Sequence, residues 1–184
     1  DAERHCTSIE YDLTARTQVV QPPDGTAMQY EYDARGNVTR QTDANGDSVQ
    51  FAYDARDNLT RAEGPDGSVA TYQYDASNNL LQRVLPHTPT ENTADFTYSY
   101  TYTARNDRAS VQLPSGATIT YDSDAAGNMT AVKDDANNVI AQRTYGADGR
   151  LATKRDRFGT VSINAYATDG QPTQVTDAFG QLIT

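Results

Sequence analysis

Apolar and aromatic residues in this chain fall on alternate positions in short runs, as along a pleated strand, and not at the spacing of an amphipathic helix. Tyr30 with Tyr32, Phe51 with Tyr53, Tyr72 with Tyr74 and Tyr100 with Tyr102 form such same-face pairs, and Tyr121 stands at the equivalent place before Ser123. The runs are themselves periodic. With Tyr11, Tyr32, Tyr53, Tyr74, Tyr102, Ser123, Tyr145 and Tyr166 as unit starts, successive steps are 21, 21, 21, 28, 21, 22 and 21 residues. A period of this size marks stacked supersecondary units, none of which buries its apolar face alone. It also assigns residues that recur at one phase to the fold rather than to catalysis.

Each unit contains two extended runs and two turns. In the unit that starts at Tyr32, the runs cover residues 37–42 and 47–53, and the turns cover 43–46 and 54–57. Gly25, Gly46, Gly67, Gly116, Gly159 and Gly180 recur fourteen residues after a start, and Gly36, Gly127, Gly149 and Gly170 recur four after one. Asn-Gly and Asp-Gly between β-prone runs signal hairpins, because both residues of the pair tolerate positive φ. Asp12, Asp33, Asp54, Asp75 and Asp124 follow their starts, where a short carboxylate can accept backbone N–H groups. Val38, Leu59, Leu80, Met129 and Leu151 occupy the sixth position.

The pattern predicts an all-β fold: tandem β-hairpins in a long, coiled antiparallel sheet, with aromatic ladders along one face. Two strands of about 7 residues per unit make a ribbon roughly 23 Å wide, and about sixteen strands extend it by roughly 75 Å. Residues 1–10 are expected to end a preceding repeat and residues 11–184 to form about eight repeats. The long unit places its extra residues in a Pro-bearing stretch, 85–93, that is expected to leave the sheet as a loop. Both ends of the sequence fall inside the repeat register without a polar cap, so the chain is read as part of a longer array.

Composition agrees with a thin sheet. Of 184 residues only 36% are apolar, and twelve Tyr stand against four Phe and no Trp. A net charge of −10 disfavours nucleic acid and anionic membrane as partners, and no run of about 18 apolar residues could span a bilayer. The residues before Tyr11 have no apolar signal-peptide core, and one cysteine, Cys6, excludes an internal disulfide framework.

The units, above all YDARGNVTRQTDANGDSVQFAYD at residues 32–54, resemble the YD repeats of bacterial Rhs proteins and their relatives, over about residues 9–184. The resemblance implies a β-hairpin spiral that wraps into a hollow shell. In Rhs toxins and Tc-toxin cocoon subunits that shell encloses a C-terminal toxic domain; teneurins use a related shell in adhesion. Some units depart from the pattern. Ser123 replaces the starting Tyr, Thr103, Gly146 and Ala167 replace the Asp, and Asn164 replaces the preceding aromatic. The family's DPxGL-type autocleavage motif has no counterpart within these residues, so the chain is expected to supply wall alone.

Candidate chemistry is sparse. His5-Cys6 could begin a nucleophile or metal pair, but the other histidine, His87, lies far along the chain, and zinc would want about four N or S ligands. Asp122–Gly127 resembles the start of a calcium loop but has Ala126 at the fifth position and Lys133 at the twelfth. Paired carboxylates of a glycosidase kind are expected from the repeat itself. Asn37-Val38-Thr39, Asn58-Leu59-Thr60 and Asn128-Met129-Thr130 match the glycosylation acceptor pattern at one repeat phase. The expectation is therefore a non-enzymatic shell segment, without catalytic, cofactor or metal residues. Its partners would be the rest of its shell, an enclosed toxin domain and secretion-system components, with secretion or delivery from a bacterium and self-association through open sheet edges. The alternative is an adhesion or carbohydrate-binding module that stacks sugars on its tyrosines.

Overall fold

Each alternating run becomes a strand. The computed structural model describes residues 6–156 and 158–183, with Asn164 by its backbone alone; His5 and the Asn164 side chain lie outside the described residues. The chain divides into two compact units that meet between Tyr98 and Ser99.

The first unit contains β1 (Ser8–Asp12), β2 (Thr17–Gln21), β3 (Met28–Tyr32), β4 (Val38–Thr42), β5 (Ser48–Tyr53), β6 (Leu59–Glu63), β7 (Val69–Tyr74) and β8 (Leu80–His87), followed by a 3-10 turn at Thr93–Phe96. Every strand pairs antiparallel with the next. The second unit takes up β9 (Thr97–Tyr102), whose pairing begins at Ser99. It continues through β10 (Arg108–Gln112), β11 (Thr118–Ser123), β12 (Met129–Lys133), β13 (Val139–Tyr145), β14 (Leu151–Asp156), β15 (Gly159–Tyr166), β16 (Pro172–Thr176) and β17 (Leu182–Ile183) in the same sequential antiparallel order. The seventeenth strand, one beyond two per repeat, is β1 ahead of the first turn.

Two expectations are corrected. Residues 85–87 do not leave the sheet: β8 runs on to His87, which stands opposite Val69, while Val84 stands opposite Thr71. Leu85 and Pro86 together stand opposite Ala70, a bulge of one extra residue in which a missing N–H costs no ladder bond. The excursion starts at Thr88. It is closed by Asn92 Oδ1, which accepts from Ala94 N at 3.2 Å, and by Phe96 stacking on the His87 ring at 5.4 Å.

The aromatic ladder is also not built as expected. Across the sheet Tyr32 faces Val38, Tyr53 faces Leu59, Tyr74 faces Leu80 and Tyr145 faces Leu151. Each repeat contributes two strands, so equivalent aromatics of successive repeats lie two strands, roughly 10 Å, apart. An aliphatic residue fills the gap, and the cross-strand unit is aromatic on aliphatic. Burial is correspondingly shallow. In the first unit Ala70 and Val84 are buried, and in the second Tyr100, its cross-strand partner Val111, and Ala131.

Candidate functional site

The aspartates that follow the starting residues organise one turn of the repeats that have them. Asp33 Oδ1 accepts from Arg35 N at 2.8 Å and Asn37 N at 2.9 Å, while Oδ2 accepts from Asn37 Nδ2 at 3.1 Å. The same set recurs at Asp54 with Arg56 and Asn58, at Asp75 with Ser77 and Asn79, and at Asp124 with Ala126 and Asn128. Gly36 N donates to the Asp33 carbonyl at 3.2 Å, and Asp33 N to the Asn37 carbonyl at 2.9 Å. This is a type I turn followed by a left-handed residue, the usual three-residue hairpin loop.

Glycine is one way to fill that left-handed place. Gly36 has φ +91°, but Asp57, Asn78 and Asn106 hold the equivalent position at 64°, 64° and 65°. At the opposite turns, Gly25, Gly46, Gly67, Gly116, Gly159 and Gly180 all have positive φ, and Asn137 takes the place in the sixth repeat at 66°. The recurring requirement is positive φ, which short polar side chains meet by local hydrogen bonding.

The carboxylates are electrostatically committed to these turns. Backbone and side-chain N–H groups of Asn37 hold the Asp33 carboxyl at about 2, below its ordinary 3.8. Asp54, Asp75, Asp124 and Asp134 are lowered as well, chiefly by the side-chain amides of Asn58, Asn79, Asn128 and Asn138. The three glycosylation-type asparagines therefore already spend their amides inside the protein. In the calcium-like stretch, Asp122 pairs with Lys133 at 2.6 Å and Asp124 accepts its own turn's N–H groups.

Arginine then ties turn to turn. Arg35 Nη2 donates to the Asp54 carbonyl at 2.9 Å, Arg56 Nη1 to the Asp75 carbonyl at 2.8 Å, and Arg105 Nη2 to the Asp124 carbonyl at 2.9 Å. Amide links run beside them: Asn37 Nδ2 to Asp57 Oδ1 at 2.7 Å and Asn58 Nδ2 to Asn78 Oδ1 at 2.9 Å. Sequence reasoning missed these arginines, although the recurring Ala-Arg two and three residues after Tyr32, Tyr53 and Tyr102 was the available signal.

The starting tyrosines occupy strand ends. From Tyr32 to Tyr166, each start lies where the ladder slips by a residue, so that Val38 and Thr39 both serve Tyr32, and Leu151 and Ala152 both serve Tyr145. Such a bulge increases local twist and leaves a backbone group to be satisfied otherwise. Tyr145 Oη donates to the Met129 carbonyl at 2.9 Å, and Tyr166 Oη to the Leu151 carbonyl. Both acceptors are bulge residues of the preceding repeat. Burial raises Tyr53 and Tyr74 above the ordinary phenol value, with Asp33 adding to Tyr53, and Tyr72 and Asp54 adding to Tyr74. Tyr30, Phe51, Tyr72 and Tyr121 are half-buried. Tyr11 differs: its turn has four residues and no bulge, Arg16 takes φ 55°, and the ring is 65% exposed.

Among the described residues, no group of three or more His, Cys, Asp and Glu side chains is placed to hold a metal ion. Cys6 is exposed. The His87 ring nitrogens contact the Leu85 carbonyl of its own strand at 3.0 Å and Thr93 Oγ1 of the excursion that follows at 3.2 Å.

The family model for the RHS repeat matches residues 11–48, 32–68 and 53–90. No curated protein matches the sequence. Among solved structures, the crystal structure of TcdB2-TccC3 resembles this one with a TM-score of 0.72 at 13% identity, over 92% of this chain and 10% of that chain. TcdB2-TccC3 without its hypervariable C-terminal region gives 0.70 at 13%, over 92% and 10%. The Photorhabdus luminescens Tc holotoxin pore gives 0.51 at 15%, over 92% and 12%. The chain thus spans about a tenth of the length of these structures, and the likeness is one of fold.

Proposed function

We propose that this chain, made of RHS repeats over residues 11–90 and of the same hairpin unit beyond them, is a non-enzymatic length of wall in a shell that encloses a C-terminal toxin for delivery from a bacterium. The observation that carries the reading is the turn-to-turn bonding. Arg35, Arg56 and Arg105 each reach the next repeat's turn, so neighbouring hairpins are joined by side chains as well as by strand pairing. Such a strip resists splitting between repeats. Its carboxylates, asparagines and tyrosine hydroxyls are used to hold it together and are not gathered around a cleft. The partners are then further repeats of the same shell and the enclosed domain, with secretion-system components at the delivery step.

The test uses the full-length gene product. The coding sequence beyond residue 184 is expected to contain a DPxGL-like junction and then a domain unrelated to the repeats. In the intact protein that domain should resist protease, and it should become cleavable once mild urea opens the repeats. A distal domain digested as quickly in the intact protein as in isolation, or a gene with no such domain, would overturn encapsulation.

A further inference from the structure

Seven of the eight unit starts carry a tyrosine ring; the other, Ser123 at the end of β11, carries none. Around it lies a concavity of about 250 Å³, lined by Asp107, Arg108, Tyr121, Ser123, Gly127 and Met129. By repeat phase, Asp107 and Arg108 are the fifth and sixth residues of the preceding unit, and Met129 is the sixth of its own. Those phases enclose a ring elsewhere in the same unit of the fold. Arg150, fifth in its repeat, lies 5.2 Å over the Tyr166 ring, the Leu151 carbonyl at the sixth accepts the Tyr166 hydroxyl, and Pro172 stands opposite Tyr166. At Tyr145 the acceptor is again the sixth residue of the preceding repeat, Met129, and Leu151 stands opposite. The concavity is thus the seat of a starting ring, without the ring.

Its size and chemistry fit that reading. About 150 Å³ is enough to hold one benzene ring. Both signs of charge stand at the rim, each with a partner of its own: Asp107 Oδ2 is 3.2 Å from Arg105 Nε, and the Arg108 guanidinium lies 5.0 Å over the Tyr100 ring. An incoming ion would have to compete with those pairs, whereas a neutral ring need not. The Tyr121 ring and the Met129 thioether, which also receives Arg143 Nη1 at 3.1 Å, offer aromatic and sulfur contacts that suit a ring. By the phase rule, a hydroxyl at the far end of that ring meets the Arg108 carbonyl.

We propose that this concavity binds the tyrosine side chain of a partner polypeptide, which supplies the ring and the hydroxyl that the repeat omits at position 123. The side chain of Arg108 leaves the site open to solvent, being exposed itself. A free phenol would bury too little surface there to offset its lost translational freedom, while a ring carried on a chain gains contacts from its neighbours. The site does not depend on the wall role.

Methyl NMR of the whole chain tests it, because the chain has two methionines: Met129 in the site, and Met28 in the first unit as an internal control. The probes are the peptide Gly-Ser-Tyr-Ser-Gly, the same peptide with Phe in place of Tyr, and p-cresol. The Tyr peptide should move the Met129 methyl saturably upfield, through the ring current, and leave Met28 in place. The Phe peptide should bind about fivefold more weakly for want of one hydrogen bond. Ser123→Tyr should shift Met129 upfield without any peptide and abolish binding. Ser123→Leu should also abolish binding by filling the space, and it decides the matter if thermal melts show that the Tyr variant fails to fold. Ser123→Ala should bind as the parent does. An unmoved Met129 methyl, equal movement of both methyls, a Phe peptide as tight as the Tyr peptide, p-cresol binding more tightly than the peptide, or binding that survives filling of the concavity would overturn the proposal.

Discussion

Arg35 Nη2 donates to the carbonyl oxygen of Asp54 at 2.9 Å, bridging nineteen residues of sequence and the gap between two successive turns. The same guanidinium places Nε 3.0 Å from Asp57 Oδ1, so one planar group holds a backbone carbonyl and a carboxylate of the next turn. Arg35→Ala should lower stability by about 1 kcal/mol, the usual net worth of such a bond when partly exposed. That corresponds to roughly 2–4 °C in the melting temperature of a chain this long. Arg35→Lys should restore little, because an ammonium cannot span both acceptors in one plane. Urea melts of the two variants check this, and a Lys variant indistinguishable from the parent would refute the fork.

Gly46 has φ +89°, with nothing within 4 Å of where a Cβ would stand. Gly46→Val should therefore cost about 1–2 kcal/mol or more for conformational reasons alone, with no steric clash involved. Gly46→Asn should cost clearly less, because Asn137 already holds the equivalent position at φ 66°. Gly159→Ala is the contrasting case: a Cβ there would lie 2.6 Å from the Ala178 Cβ. Thermal denaturation should rank the losses with Asn at 46 the mildest. Asn and Val at 46 melting alike would place the cost elsewhere.

Acid should loosen the turn edge. Asp33 titrates at about 2 when folded against 3.8 ordinarily, and Asp54, Asp75, Asp124 and Asp134 are shifted the same way. A carboxyl whose folded value is depressed contributes stability that is complete above the unfolded value and disappears as pH falls through the folded one. Stability should thus be flat from neutrality down to about pH 5, then decline between about pH 4 and 2. Asp33→Asn should flatten part of that decline. Melting temperatures across this range test it, and an unchanged melt at pH 2.5 would contradict the assignment.

How far the sequence reveals the fold depends on how local each signal is. The hairpins were legible because Asn45-Gly46 and the alternation from Ser48 to Tyr53 state turn and strand within a few residues. The left-handed residues at Asp57, Asn78 and Asn106 are harder to see in the sequence than the glycines, because Asn and Asp reach the same region but are also common elsewhere in turns. Pro86 signals a break in the strand, yet a bulge opposite β7 gives it a place without a donor. The arginine links were illegible for a different reason. Arg35 and Asp54 meet only once strand register is fixed, and register is a property of the assembled sheet. Similarly, Tyr32 opposite Val38 follows from two strands per repeat, which a count of aromatic spacing does not reveal.

The hydroxyls of the starting tyrosines separate two roles that their rings share. Tyr145 Oη donates at 2.9 Å to the Met129 carbonyl, a bulge residue whose strand partner is displaced by the register slip between Asp122 and Ser123. Removing that donor leaves a part-buried carbonyl short of a partner, so Tyr145→Phe should cost about 1 kcal/mol. Tyr74 faces Leu80 in the same way, but its raised phenol value is traced to burial and neighbouring charge rather than to a hydrogen bond. Tyr74→Phe should therefore be nearly neutral, within about 0.5 kcal/mol. If the tyrosines served only as packing surface, both variants would melt like the parent. If each hydroxyl carried a binding function for an external ligand, both would retain stability and lose binding. Urea denaturation of the pair distinguishes these cases, because the bulge-satisfying role alone demands a loss at Tyr145 without one at Tyr74.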